Sequence, residues 1–129
     1  MKILIADDEP AVLDLNCRLM RLAGFEVVPA NDGDEACNAF RSAPFPLVLT
    51  DLEMPCMDGF ELITQVRENE KFKQIPIIIL TTEGKKDMVM KGLTLGANSF
   101  LQKPIKPDLM LQEVERLLGK KTGGPGKGA

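Results

Sequence analysis

Apolar residues gather in five short runs: Ile3-Leu4-Ile5, Phe25-Glu26-Val27-Val28, Leu47-Val48-Leu49, Ile75 to Leu80, and Ser99-Phe100-Leu101. Their length and β-branched content predict strands. Ile77-Ile78-Ile79-Leu80 shows no polar alternation, the mark of a central parallel strand covered on both faces. Between the runs the period changes to that of a helix. Val12, Leu15, Leu19 and Leu22 fall on one apolar stripe of a first helix that Pro10 opens and Gly24 stops. Asp32 with Glu35, and Asp58 with Glu61, have capping-box spacing, with Asp in the Ser/Thr place. Met88, Val89, Met90, Leu93 and Leu95 make a fourth helix apolar around much of its circumference. Pro107 opens a last helix whose inward stripe is Met110, Val114, Leu117 and Leu118, and Gly119 ends it.

Strand and helix alternate throughout, which predicts an α/β fold: a doubly wound parallel sheet with right-handed crossovers and helices on both faces. Residues 1–119 are expected to form one domain, and 129 residues suit a single core. Residues 120–129, rich in Gly and Lys, read as a flexible tail or linker. No stretch approaches the ~20 apolar residues of a membrane span, and the N-terminus turns acidic at Asp7-Asp8 too early for a secretory signal. A cytoplasmic protein without membrane contact is the expectation.

Composition narrows the function classes. The chain is 44% hydrophobic and 27% charged, a globular balance. Its net charge of −3, from sixteen basic and nineteen acidic residues, argues against direct nucleic-acid binding. The three cysteines, Cys17, Cys37 and Cys56, lack metal-type spacing and read as reduced thiols. There is no histidine. That excludes ordinary Ser-His-Asp and Cys-His hydrolases, His-ligated zinc, and a phosphohistidine carried by this chain.

Candidate chemistry collects where the strands end. The first run leads into Asp7-Asp8-Glu9, the third into Asp51, the fourth into Thr81-Thr82 and the fifth into Lys103-Pro104. All lie on the carboxyl edge, where open α/β sheets bind ligands. If the first and third strands are neighbours, their ends are about 4.8 Å apart, and Asp7, Asp8 and Asp51 share one pocket. Each close carboxylate pair then costs about 4 kcal/mol at an effective dielectric of 20. A hard divalent cation with oxygen ligands, Mg2+, offsets that repulsion. Phosphoryl transfer needs this set: Asp51 as the nucleophile, Asp7 and Asp8 for the metal, Lys103 and Thr81 for the phosphoryl oxygens. Singly, each residue has a plainer reading as a turn, cap or strand exit. Their joint occurrence on one edge favours a site.

Four ordered segments resemble the receiver family of response regulators: Ile5-Ala6-Asp7-Asp8-Glu9-Pro10, Leu49 to Gly59 around Asp51, Ile79-Leu80-Thr81-Thr82, and Gln102-Lys103-Pro104. The resemblance covers residues 1 to about 119. It implies a flavodoxin-like sheet of strand order 2-1-3-4-5 with five helices. It further implies that Asp51 accepts phosphate from a phosphohistidine on a sensor histidine kinase or histidine phosphotransfer domain. Mg2+ would be held by Asp8, Asp51 and the backbone carbonyl of Glu53, with Asp7 acting largely through water. The Lys103-Pro104 bond would be cis, and Thr81 and Phe100 would be the switch pair, although Phe100 suits a core position nearly as well. The output would be binding to a downstream protein target or output domain, by a monomer or a phosphorylation-dependent dimer. Such a protein is a signalling switch rather than an enzyme.

Other readings fit less well. A receiver excised from a larger DNA-binding regulator or hybrid kinase would share every feature above. An FMN-binding electron carrier of the same topology lacks support: no Ser/Thr/Gly-rich loop follows the first strand, and Trp and Tyr are absent. A dehalogenase-like phosphatase would carry Asp-x-Asp after the first strand, whereas Asp7 and Asp8 are adjacent.

Overall fold

A computed structural model describes residues 2–42, 45–55, 57–71, 73–82 and 84–119. Cys56 and the tail 120–129 lie outside the described residues. Five strands and five helices alternate: β1 (Lys2–Ala6), α1 (Pro10–Leu22), β2 (Glu26–Ala30), α2 (Gly33–Ser42), β3 (Val48–Asp51), α3 (Gly59–Glu68), β4 (Ile77–Thr81), α4 (Lys86–Leu95), β5 (Ser99–Gln102) and α5 (Pro107–Leu118). The sheet is parallel in the order β2-β1-β3-β4-β5.

Two cores sit on opposite faces of this sheet. Leu4, Val48, Ile77 and Ile79 face Ala36, Cys37 and Phe40 of α2 and Leu62, Ile63 and Val66 of α3. Ile3, Ile5, Leu49, Ile78 and Leu80 face Leu13, Cys17 and Met20 of α1 and Met110 and Val114 of α5. Every residue of β4 is buried, as the unalternating isoleucine run requires. Pro29 lies within β2, where it has no N–H to give; β2 is an edge strand, the place a sheet tolerates that loss.

The helix ends follow the local chemistry. Asp32 Oδ1 accepts from the Glu35 N–H at 2.8 Å while Glu35 Oε1 accepts from the Asn31 N–H at 2.7 Å, a near-reciprocal cap on α2. Asp58 Oδ1 accepts from the Glu61 N–H at 2.9 Å and caps α3. Gly119, at φ 74°, closes α5.

Helix α1 occupies its predicted span, but its apolar stripe is split: Leu15 is 56% exposed and Leu22 85%, whereas Val12 and Leu19 are half-buried and Leu19 packs against the core. Leu13, Cys17 and Met20 face the sheet. Two apolar stripes interleave on this helix, one residue and about 100° apart, so periodicity alone does not choose between them. The stop chooses. Gly24, at φ 101°, lets the Phe25 N–H bond Met20 O and its own N–H bond Arg21 O, the paired bonds of a Schellman turn. That turn brings Phe25 and Met20 together in the core and fixes the helix's rotation.

Candidate functional site

Register builds the site. Ala6 pairs with Thr50 across β1 and β3, so the next residues, Asp7 and Asp51, leave the sheet side by side. Asp51 pairs with Leu80, which places Thr81 one step beyond it; Thr81 pairs with Gln102, which places Lys103 next. The Lys103 N–H donates to Thr81 O at 2.6 Å, and the Lys103–Pro104 peptide is cis.

Asp7 and Asp51 are held by the same local device. Asp7 Oδ1 accepts from the Glu9 N–H at 3.0 Å, and Asp51 Oδ1 accepts from the Glu53 N–H at 3.1 Å. Each side chain thus closes a turn with the amide two residues on. The second oxygen of each carboxylate faces the Lys103 ammonium, at 2.7 Å for Asp7 and 3.0 Å for Asp51. Glu9 approaches the same ammonium at 3.3 Å. The Lys103 side chain is only 8% exposed. Burial by itself would lower its pKa, but the Asp7 and Asp51 carboxylates outweigh that and hold it well above the lysine range. Burial raises the Asp7 carboxyl, with the Asp51 charge adding to the rise; Lys103 and the Glu9 amide oppose it.

Ligand atoms of Asp7, Asp8 and Asp51 lie within 4.8 Å of one another. Three carboxylates and one ammonium leave the group negative. Asp7 is fully buried, and its Oδ2 is ion-paired with Lys103 at 2.7 Å. A buried oxygen with lone pairs to spare beside two further carboxylates fits a hard divalent cation.

The other predicted residues take distinct places. Thr81 is buried at the end of β4, and its hydroxyl donates to Thr82 O at 3.3 Å. The Glu53 side chain turns outward to Lys85 Nζ, at 2.9 Å. Phe100 is 47% exposed and belongs to neither core, which removes the core reading of that residue. Together with Thr81, Met90 and Leu93 it lines a groove of about 310 Å3 between α4 and β5.

Several contributors were not legible in advance. Glu9 and Lys85 join through long side chains whose reach no spacing rule encodes. Gly59, first residue of α3, donates its N–H to Leu52 O at 3.0 Å. A Cβ there would lie 2.2 Å from Asp51 O, so only glycine lets α3 rest on the Asp51 peptide. Gly33 abuts Met57 O in the same way. The Asp-Gly pair at 58–59 could have signalled such a close approach.

The family model described as the response regulator receiver domain matches residues 3–115. Chemotaxis protein CheY1 of Helicobacter pylori is 36% identical over 121 residues, covering 92% of this chain and 98% of that protein. Response regulator GtcR of Aneurinibacillus migulanus is 36% identical over 115 residues, 89% of this chain but 45% of that protein, so the chain spans under half of this relative. The solved receiver domain of sensor histidine kinase PA1611 from Pseudomonas aeruginosa, described with a magnesium ion coordinated in its active-site cleft, superposes with a TM-score of 0.85 at 26% identity; 92% of this chain and 97% of that one are covered. A match spanning nearly all the described residues, on the strand order that the sequence resemblance implies, makes this chain a member of the response regulator receiver domains of two-component signalling systems.

Proposed function

We propose that Asp51 is the phosphoacceptor and that the chain switches partner binding when Asp51 is phosphorylated. In this reading one Asp51 carboxylate oxygen attacks the phosphorus of a phosphohistidine on a sensor histidine kinase or phosphotransfer domain. The new O–P bond forms as the P–N bond breaks, and the imidazole nitrogen keeps the electron pair and takes a proton from solvent. Lys103, held between Asp7 and Asp51, stands ready to pair with the phosphoryl oxygens. Thr81 offers a hydroxyl from the neighbouring strand once it turns from Thr82 O. Asp8, Asp51 and the Glu53 carbonyl would hold Mg2+, with Asp7 acting through water. The ion supplies charge neutralisation for the incoming phosphate.

The observation that carries this reading is one buried ammonium touching two carboxylates from adjacent strand ends, with a third carboxylate alongside. Phosphorylation adds about −1.5 to −2 charges there. Thr81 moving toward that charge would free space for Phe100, now outside the core, and alter the α4–β5 groove read by a downstream target. Residues 1–119 would act as one signalling domain in the cytoplasm, with 120–129 as tail or linker. Among the described residues no helix is long and apolar enough to cross a membrane.

The test is acetyl phosphate with Mg2+, followed by intact mass and peptide mapping. The expected result is one phosphoryl group on Asp51, none in Asp51→Asn, and weaker Mg2+ binding in Asp8→Ala. A phosphoryl group acquired equally by Asp51→Asn refutes the assignment.

A further inference from the structure

Outside the Lys103 cluster, the ion pair between Glu53 and Lys85 stands apart from the other pairs among the described residues. Arg18–Asp14, Lys73–Glu70 and Arg116–Glu113 join residues three or four apart on the chain. Glu53–Lys85, at 2.9 Å, links the loop after β3 to the start of α4. Lys85 is a poor residue for its own position. It is the N-cap of α4, makes no side-chain bond to the free N–H groups of that end, and is followed by Lys86. The positive end of a helix disfavours ammonium groups, and Asp87 answers only one of them. The carboxylate that compensates Lys85 comes from Glu53. The Glu53 N–H meanwhile holds Asp51 Oδ1 at 3.1 Å, so the pair is anchored directly beside the acceptor. On its other side Lys85 lines the Phe100 groove.

We propose that Glu53 and Lys85 form a charge-matched strap from the loop after Asp51 to the start of α4, in which Lys85 cancels the Glu53 carboxylate and thereby sets the balance between cation binding and phosphoryl acceptance. Lys85 is a positioning residue here. The proposal rests on the phosphoacceptor reading of Asp51. Its physics gives opposite signs for two ligands. Without Lys85, Glu53 adds an uncompensated negative charge two residues from Asp51, which attracts a divalent cation and repels an incoming phosphoryl group. Without the Glu53 charge, Lys85 is the uncompensated member and both signs reverse. The Glu53 backbone carbonyl is untouched by either substitution.

The experiment compares the wild-type chain with Lys85→Gln, Glu53→Gln and the double variant. Mg2+ alone is titrated by calorimetry, beryllofluoride at saturating Mg2+ by NMR, and hydrogen exchange of the Val89 amide is followed in metal-free protein. That amide bonds Lys85 O at 2.9 Å and reports the anchoring of α4. Lys85→Gln is expected to bind Mg2+ about two- to fivefold more tightly and beryllofluoride more weakly by a similar factor, the span open to an exposed pair. Glu53→Gln should do the reverse and, by leaving the Lys85 ammonium uncompensated at the helix start, speed Val89 exchange, and the double variant should return toward wild type. Affinities that move together, or faster exchange with both affinities unchanged, overturn the strap. If the wild-type chain itself takes up neither ligand, the phosphoacceptor reading fails; if it takes up both and Lys85→Gln matches it, the strap alone fails.

Discussion

Adding one methyl group at Gly59 tests how closely the acceptor loop depends on α3. An alanine Cβ would sit 2.2 Å from Asp51 O and 2.7 Å from Leu52 Cα, both backbone atoms. Unstrained carbon contacts lie near 3.5–4.0 Å, so helix and strand end must separate by about 1 Å. Neither can move freely: Leu62, Ile63 and Val66 of α3 are buried against the sheet, and Ile63 and Val66 have no exposed surface. Overpacking of this kind costs about 1–3 kcal/mol. Alanine's better helix propensity and reduced unfolded-state freedom return about 0.5–1 kcal/mol. The net loss is therefore about 1–2 kcal/mol, which at an m-value near 1.5 kcal/mol/M lowers the urea midpoint by about 1 M. Far-UV circular dichroism is the suitable probe, since the chain has neither Trp nor Tyr. A 1 Å displacement of a reacting group lowers rates by about 100-fold, so phosphorylation by acetyl phosphate should slow far more than stability falls. Gly92→Ala is the control, because its new Cβ meets the terminal Cδ1 of Ile79 at 2.5 Å rather than backbone, and a side-chain end gives way more cheaply. A Gly59→Ala protein with wild-type midpoint and wild-type phosphorylation would refute the reasoning.

Arg67→Ala should destabilise by about 2–4 kcal/mol in chemical denaturation, because its guanidinium bonds Gly96 O, Lys73 O, Ile75 O and Asn98 Oδ1. Mg2+ affinity should stay near wild type, since these contacts lie at the amino edge of the sheet, opposite the acidic pocket. Arg67→Lys should rescue little, as a single ammonium lacks the planar fork. Phe100→Ala should cost about 1 kcal/mol or less by urea titration, against 3–5 for a core phenylalanine, and a core-sized loss would contradict its exposure. Arg116 holds the Glu113 carboxyl down to about 2, against the rise from burial and with help from Ser99. A depressed carboxyl contributes its stabilisation fully above its unfolded value of 4.5 and loses it as pH falls toward 2. Thermal melts of Glu113→Gln should accordingly show a shallower acid decline between those values, and superimposable declines would remove Glu113 from the account.

The sequence was most legible where chemistry is local. The uninterrupted Ile77–Leu80 run, the caps at Asp32 and Asp58, and the polar residues that follow each strand all depend on neighbours within a few positions. Strand register then did the assembly, because Asp7, Asp51, Thr81 and Lys103 each stand at or just beyond a strand end. What stayed hidden required knowledge of the far side of a contact. Helix α1 carries two apolar stripes, and the choice between them was made by the turn at Gly24 rather than by the helix. Arg67 and Lys85 reach across to other elements through flexible side chains, and nothing near them in sequence announces their partners. Phe100 looked nearly as suited to core as to surface because a strand alternates its faces whether or not both are covered.

The proline in β2 bears on how copies of this chain can meet. An open sheet margin ordinarily invites another strand to add on, the first step of many unwanted assemblies. Here that margin carries Pro29, which cannot donate, and an exposed glutamate at position 26, so growth of the sheet on the β2 side is disfavoured. Close approach of two molecules is thereby steered toward helical or β5-side surface, and runaway stacking through β2 is held back.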